Sequence, residues 1–170
     1  MRFPIRPRHR MSSNDRQTLA RKLVDFMREE IPLARSMDLG LRGCGEDHLS
    51  IAAPLLPNVN DKGCAFGGSL VSTMTLTGWG LVELELRLRG EDCDVFVADS
   101  TVRYLEPVWT DFVSEARLAE GADWTSFFDT LATRGRARID VACQVPGTGD
   151  RPAATLAARF VAKRRPPDAV

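Results

Sequence analysis

The stretch that decides the fold is residues 60–80, NDKGCAFGGSLVSTMTLTGWG. A Gly-Gly pair, Gly67-Gly68, opens a half-apolar run that carries no Lys, Arg, Asp or Glu before Glu83. Two explanations stand side by side. A helix starting here has first-turn N–H groups without internal partners, and they point out of its end as a partial positive charge. Glycine lets a ligand approach that backbone closely. A core helix pressed against another backbone would need the same residues.

The continuation, LVELELRLR (residues 81–89), reads two ways. Strict alternation suits a strand. A helix is equally consistent, since Glu83/Arg87 and Glu85/Arg89 are i,i+4 pairs in the favourable order and Gly90 can close the end. Length decides: strands usually span ~3–10 residues. The expectation is one long helix over residues 67–89, with Gly78 and Gly80 allowing close approach to what crosses it.

Upstream, residues 14–30 read as a helix capped by Ser13 or Asn14, with Leu19, Leu23, Phe26 and Met27 on one face and Pro32 ending the run. Gly40, Gly43 and Gly45 break residues 36–53 into two short strands, the second over 48–53. Downstream, residues 94–104, 112–118, 136–145 and 153–162 read as strands, the last two joined by the turn PGTGDRP. Residues 123–134 read as a short helix with Asp123 as cap and Gly135 as stop. Consecutive strands with few intervening helices imply an antiparallel sheet. The long helix has few charges, so the expected class is α+β, a curved sheet wrapped around one helix.

The chain has 170 residues, enough for one domain with a sizeable core. Apolar residues make up 44% and charged residues 27%, as in ordinary globular proteins. The formal net charge is zero, which disfavours a dedicated nucleic-acid binder. No apolar run reaches the ~20 residues of a membrane span. Cys44, Cys64, Cys93 and Cys143 show no CxxC spacing, and with only His9 and His48 a histidine-rich metal site is not expected. The opening MRFPIRPRHR has four arginines and lacks the apolar segment of a signal peptide. Expected are a flexible basic arm over residues 1–13, a single domain over 14–163, a flexible tail over 164–170, and a cytoplasmic protein with reduced thiols.

For chemistry, the Gly67 and Gly68 amides can polarise a carbonyl and stabilise an oxyanion. Asp61 can activate water, with Asn60 orienting it, although Asn and Asp are also common turn formers. Lys62 is a phosphate contact or a solvated side chain. Ser69, Ser72, Thr73, Thr75 and Thr77 supply hydroxyls, some toward a ligand and most back-bonding to helix carbonyls. No Walker, dinucleotide or GxSxG motif is present. Cys64 lacks an evident partner to lower its pKa. Trp124, Phe127 and Phe128 stand in an inserted helix that would suit a pocket rim.

Residues 60–70, NDKGCAFGGSL, followed by LTGWG (76–80), VADSTVRYLEPV (97–108) and GRARIDVACQV (135–145), resemble the hotdog-fold thioesterase-like domains of the YiiD C-terminal type. The similarity covers about residues 15–163. It implies a hotdog fold and a homodimer or tetramer with acyl-thioester sites at the subunit interface. Acyl-CoA or acyl carrier protein would be the substrate, the pantetheine being part of it, with no metal or redox cofactor. In the broader class an Asn precedes a His-Gly-Gly by six positions and a carboxylate follows on the helix. Asn60, Gly67 and Gly68 match; Phe66 takes the His place and Thr75 the carboxylate place. The resemblance therefore leaves Asp61 as substitute base, Asn60 positioning water, and the Gly67/Gly68 backbone polarising the thioester. Phe66, Ser69, Thr75 and Thr77 would contact substrate, and Lys62 and Arg103 would meet CoA phosphates. The competing expectation is a non-catalytic acyl-thioester binding or sensing module.

Overall fold

The computed structural model describes residues 13–166; the basic arm with His9 and residues 167–170 lie outside the described residues. The elements in order are α1 (Ser13–Glu30), α2 (Pro32–Ser36), β1 (Gly40–Cys44), β2 (His48–Ala53), a 3-10 turn (Leu56–Asn58), α3 (Gly67–Leu88), β3 (Cys93–Tyr104), β4 (Phe112–Leu118), α4 (Trp124–Arg134), β5 (Arg136–Pro146) and β6 (Pro152–Arg164). Six antiparallel strands form one sheet in the order β1-β2-β4-β5-β6-β3. Helix α3 packs against β2, β3, β4, β5 and β6, so the sheet curls around it. This is the hotdog arrangement, and the long segment is helical throughout.

Glycine sets the depth of α3. A Cβ on Gly78 would lie 2.9 Å from Phe160 and 3.1 Å from the Cys143 sulfur, and one on Gly80 would lie 2.6 Å from the Met27 methyl and 2.8 Å from Leu49. Gly78 therefore lets the helix settle onto β5 and β6, and Gly80 onto α1 and β2. Burial of Leu81, Leu84, Leu86 and Met74 completes the α3 contribution to the core. At the far end of α3, Glu83 and Glu85 are buried, each beside the arginine four residues on. Glu85 also bonds Arg16, which ties α1 to α3.

Several local details differ from the sequence reading. Pro32 ends α1 yet starts α2, because at the first helical position proline's missing N–H costs nothing. Strand β6 continues to Arg164, paired with Glu91, and Arg165 binds Asp92 and Asp94, so the strand runs one residue past 163. Helix α4 begins as expected, with the Asp123 carboxylate accepting from the Ser126 N–H at 2.8 Å, and ends at Gly135 with φ 67°.

Candidate active site

The site is built around the start of α3. Phe66 occupies the N-cap position and supplies no side-chain cap. Ser, Thr, Asp or Asn is the usual choice there, worth typically ~1 kcal/mol. The amides of Gly67, Gly68 and Ser69 meet no hydrogen-bond acceptor among the described residues, whereas Leu70 N–H already bonds Phe66 O at 3.0 Å. The helix end is thus left open. Above it the Phe66 ring covers Gly68, where a Cβ would lie 2.2 Å from a ring carbon. The Tyr104 hydroxyl donates to Gly67 O at 3.2 Å, and its ring lies 3.5 Å from where a Gly67 Cβ would sit.

The loop leading into α3 is rigid. Asn58, 1% exposed, donates through Nδ2 to Met37 O at 2.9 Å and Pro54 O at 2.7 Å. Its own carbonyl accepts from Phe66 N–H at 2.7 Å, and Ala65 N–H donates to Val108 O at 2.7 Å. These bonds fix where Gly67 begins.

Asn60 organises the turn between. Its Oδ1 accepts from the N–H groups of Lys62 (2.8 Å) and Cys64 (3.2 Å), and its Nδ2 donates to the Cys64 sulfur at 3.2 Å. Cys64 is buried in that turn. The Asp61 side chain is 79% exposed and pairs with Lys62 Nζ at 2.9 Å. Within the single chain, then, Asn60 is engaged in turn chemistry while Asp61 and Lys62 face solvent.

The helix sorts the hydroxyls by face. Ser69, Thr73 and Thr77 recur every four residues and are all buried, with Thr77 Oγ1 donating to Thr73 O at 2.7 Å and Thr73 Oγ1 to Ser69 O at 2.8 Å. Thr77, with no exposed surface, faces the sheet. Gly68, Ser72, Thr75 and Trp79 form the opposite, half-buried stripe. At 1.5 Å per residue Thr75 lies about 10 Å along the helix from Gly68.

Edge strand β3 faces this stripe, and Trp79 Nε1 donates to Val95 O at 3.1 Å. Register assigns the faces of β3, since directly opposed residues in a sheet share a side. Val97, Ser100, Val102 and Tyr104 oppose Phe160, Ala158, Leu156 and Ala154, all buried, so they look toward the helix. Yet Val97, Ser100 and Tyr104 remain exposed and Val102 half-buried. The exposed inner face of β3 and the open stripe of α3 thus lie side by side, with the free amides at the start of the helix. Ser72, one of the helix hydroxyls read from sequence, lies on this stripe, and Ser100 and Tyr104 join the residues read from sequence.

Arg103 lies elsewhere. A bulge between Val97 and Asp99 inserts Ala98 and reverses the parity of the strand, placing Arg103 opposite Thr155 on the face turned away from α3. The aromatic helix α4 is also remote: Trp124 and Phe127 are buried against the sheet and Arg89, just past the last residue of α3, stacks on Phe128 at 4.0 Å. Its aromatic face packs into the core, and no α4 residue lines the groove on the outer face of the sheet.

The electrostatics narrow the chemistry. Burial pushes the Cys143 thiol up to about 12 and the Cys93 thiol up to about 11, so neither supplies thiolate at neutral pH. Glu83 and Glu85 are raised above the ordinary carboxylate range by burial, but both sit at the far end of α3. Among the described residues no cluster of His, Cys, Asp and Glu is arranged to hold a metal ion, and no helix is long and apolar enough to cross a membrane.

Comparison with known proteins agrees with this geometry. A protein of unknown function from Chlorobaculum tepidum superposes with a TM-score of 0.81 at 25% identity, covering 86% of this chain and 95% of that one. A Shewanella oneidensis protein described as a "putative thioesterase" gives 0.76 at 29% identity, covering 86% and 98%. A Pseudomonas aeruginosa protein, described as a "Probable Thioesterase", shares the fold at 0.68 and 22% identity, covering 87% and 95%. The sequence pattern of the family described as "Putative thioesterase (yiiD_Cterm)" matches residues 20–164. The chain belongs to that YiiD C-terminal thioesterase family.

Proposed function

We propose that this protein hydrolyses acyl thioesters of CoA or acyl carrier protein in a cleft completed by a second copy of the chain. The observation that carries the reading is the uncapped start of α3: three free amides beside the exposed inner face of β3, on which Val97, Val102 and Tyr104 stand. The thioester oxygen would accept from the Gly67 and Gly68 N–H groups, which strengthen their hold as negative charge develops. Asp61 would take a proton from a water whose oxygen attacks the carbonyl carbon. Asn60 would position that water, and the tetrahedral adduct would collapse by breaking the C–S bond and releasing the thiol. Phe66, Ser69 and Thr75 would shape the cleft for the acyl group, and Lys62 would hold Asp61 or the phosphates of the carrier. Thr77 would act through the helix it braces.

Support for the second copy comes from β3. It is a 12-residue edge strand without proline and, among the described residues, without a covering element, and Phe96, Val97 and Tyr104 on it are exposed. Uncovered edges of this kind are ready to pair. Pairing two β3 edges would cover these side chains and close the cleft along its open side.

A binding module without turnover is the second reading, favoured by Asp61 being tied to Lys62 at the surface and by Thr75 standing where relatives of the broader class place a carboxylate. A panel of acyl-CoA and acyl carrier protein thioesters, assayed for released thiol, separates the two. Turnover that drops strongly in Asp61→Ala and Asn60→Ala is the expected result. Saturable binding without thiol release would establish the module instead.

A further inference from the structure

The face of the sheet turned away from α3 carries a groove of about 390 Å³. Its shape follows from register. One row across four strands reads Arg117, Ala142, Ala157, Thr101. The next reads Glu115, Gln144, Thr155, Arg103. Two alanines side by side leave a flat trough floor. The adjoining row on the other side carries the Asp140–Arg159 ion pair, at 2.7 Å, which lies outside the groove's lining. The lone carboxylate of the second row, Glu115, accepts from Gln144 Nε2 at 3.2 Å.

Arg103 and Arg117 stand at diagonal corners. Strand spacing of ~4.8 Å and a rise of ~3.4 Å per residue put their Cα atoms about 16 Å apart. Neither guanidinium has a hydrogen-bond or ion-pair partner among the described residues, and both are exposed. Arginine is the side chain best suited to phosphate, through bidentate hydrogen bonds. The volume lies at the low end of the ~300–1,000 Å³ typical of small-ligand sites. A planar ring fits the alanine floor, and Thr101, Thr155 and Gln144 offer polar edges for its heteroatoms and a ribose.

We infer that this groove binds a phosphorylated nucleoside, its ring on Ala142 and Ala157 and its phosphates on Arg103 and Arg117. The ligand chemistry has two sources, a free nucleotide or the nucleotide end of CoA. The groove itself does not depend on the thioesterase reading, because nucleotide binding is measured without turnover.

The test is calorimetric titration of the full chain with adenosine 3′,5′-bisphosphate and with CoA, using adenosine as the uncharged control. Saturable binding of the bisphosphate is expected, weakened about tenfold by Arg117→Ala and by Arg103→Ala, since each removes one charge-assisted contact. Ala157→Met fills the trough and abolishes binding, with thermal melting verifying that each variant is folded. Added salt weakens the complex. If Arg117→Ala also raises KM for acyl-CoA, the groove holds the carrier end of the substrate. If KM is unmoved, it serves a free nucleotide. Absence of saturable bisphosphate binding, or binding unchanged in Arg117→Ala and Ala157→Met, overturns the inference. So does an Ala157→Met change that shifts only the oligomeric state, which assigns the face to a second copy.

Discussion

Replacing Gly78 by alanine asks whether α3 lies as deep in the sheet as the cleft geometry requires. The added methyl would sit 2.9 and 3.0 Å from two ring carbons of Phe160 and 3.1 Å from the Cys143 sulfur. Phe160 is fully buried, paired with Val97 on one side and Ile139 on the other, so its ring has nowhere to swing. Overpacking of this kind costs about 1–3 kcal/mol. Alanine in a helix interior returns about 1 kcal/mol over glycine. The expected net loss is about 1 kcal/mol, or roughly 2–4 °C in Tm for a chain of this size. Urea denaturation with an unchanged m-value measures it. Gly80→Ala is the comparison, because the atoms it meets are the ends of the Met27 and Leu49 side chains, which can turn aside. It should cost less than Gly78→Ala. Adding Phe160→Leu to Gly78→Ala should show a favourable coupling between the two sites. A Gly78→Ala protein stabilised by the full helical preference of alanine would refute the reasoning.

Arg16→Ala leaves the buried Glu85 carboxylate with only Arg89, at 4.0 Å, and should cost about 1–3 kcal/mol by chemical denaturation, less than a fully enclosed pair because Arg16 is partly solvated. Glu83 and Glu85 have folded pKa values raised above the ordinary 4.5 by burial, so the folded state holds their protons more tightly. Their contribution therefore favours the folded state at low pH and is lost as pH rises from about 4.5 through the raised values; Glu85→Gln should flatten that part of the stability–pH curve. Asn58→Ala removes both donors to the Met37 and Pro54 carbonyls and should lower stability by about 2–3 kcal/mol, with a loss of thioester turnover through the displaced loop. Gly68→Ala pushes the Phe66 ring from its place; with that ring largely exposed, melting should shift little while kcat/KM for an acyl-CoA falls about a hundredfold.

The long helix was legible from residues 67–89 because its length excluded a strand, even though the charges of 83–89 suit either period. The strand positions beyond it followed from turn residues such as those of 146–152, while the order that sets β3 beside β6 did not. The cleft was less legible, and the reason lies in β3. Uninterrupted alternation from Val95 puts Arg103 on the helix side and Ser100 and Tyr104 outside. The inserted Ala98 reverses all three, and nothing local in VFVADSTVRY marks it. Among the helix hydroxyls, spacing separates Thr73 and Thr77 from Ser72 and Thr75, but composition does not say which set faces the sheet. Packing settles that through Gly78, whose missing side chain turns one face of α3 onto Phe160. Asn58 carried no signal at all: an Asn after a proline reads as a turn residue, and its two carbonyl partners, on Met37 and Pro54, come together only in the folded chain.

The central claim is that the free amides opening α3 grip a thioester carbonyl. Backbone amide resonances of Gly67, Gly68 and Ser69, followed while a non-hydrolysable acyl-CoA ketone analogue is titrated in, test it directly. Saturable downfield shifts of the Gly67 and Gly68 protons are predicted. Saturation of the analogue with both glycine resonances unmoved would contradict the account.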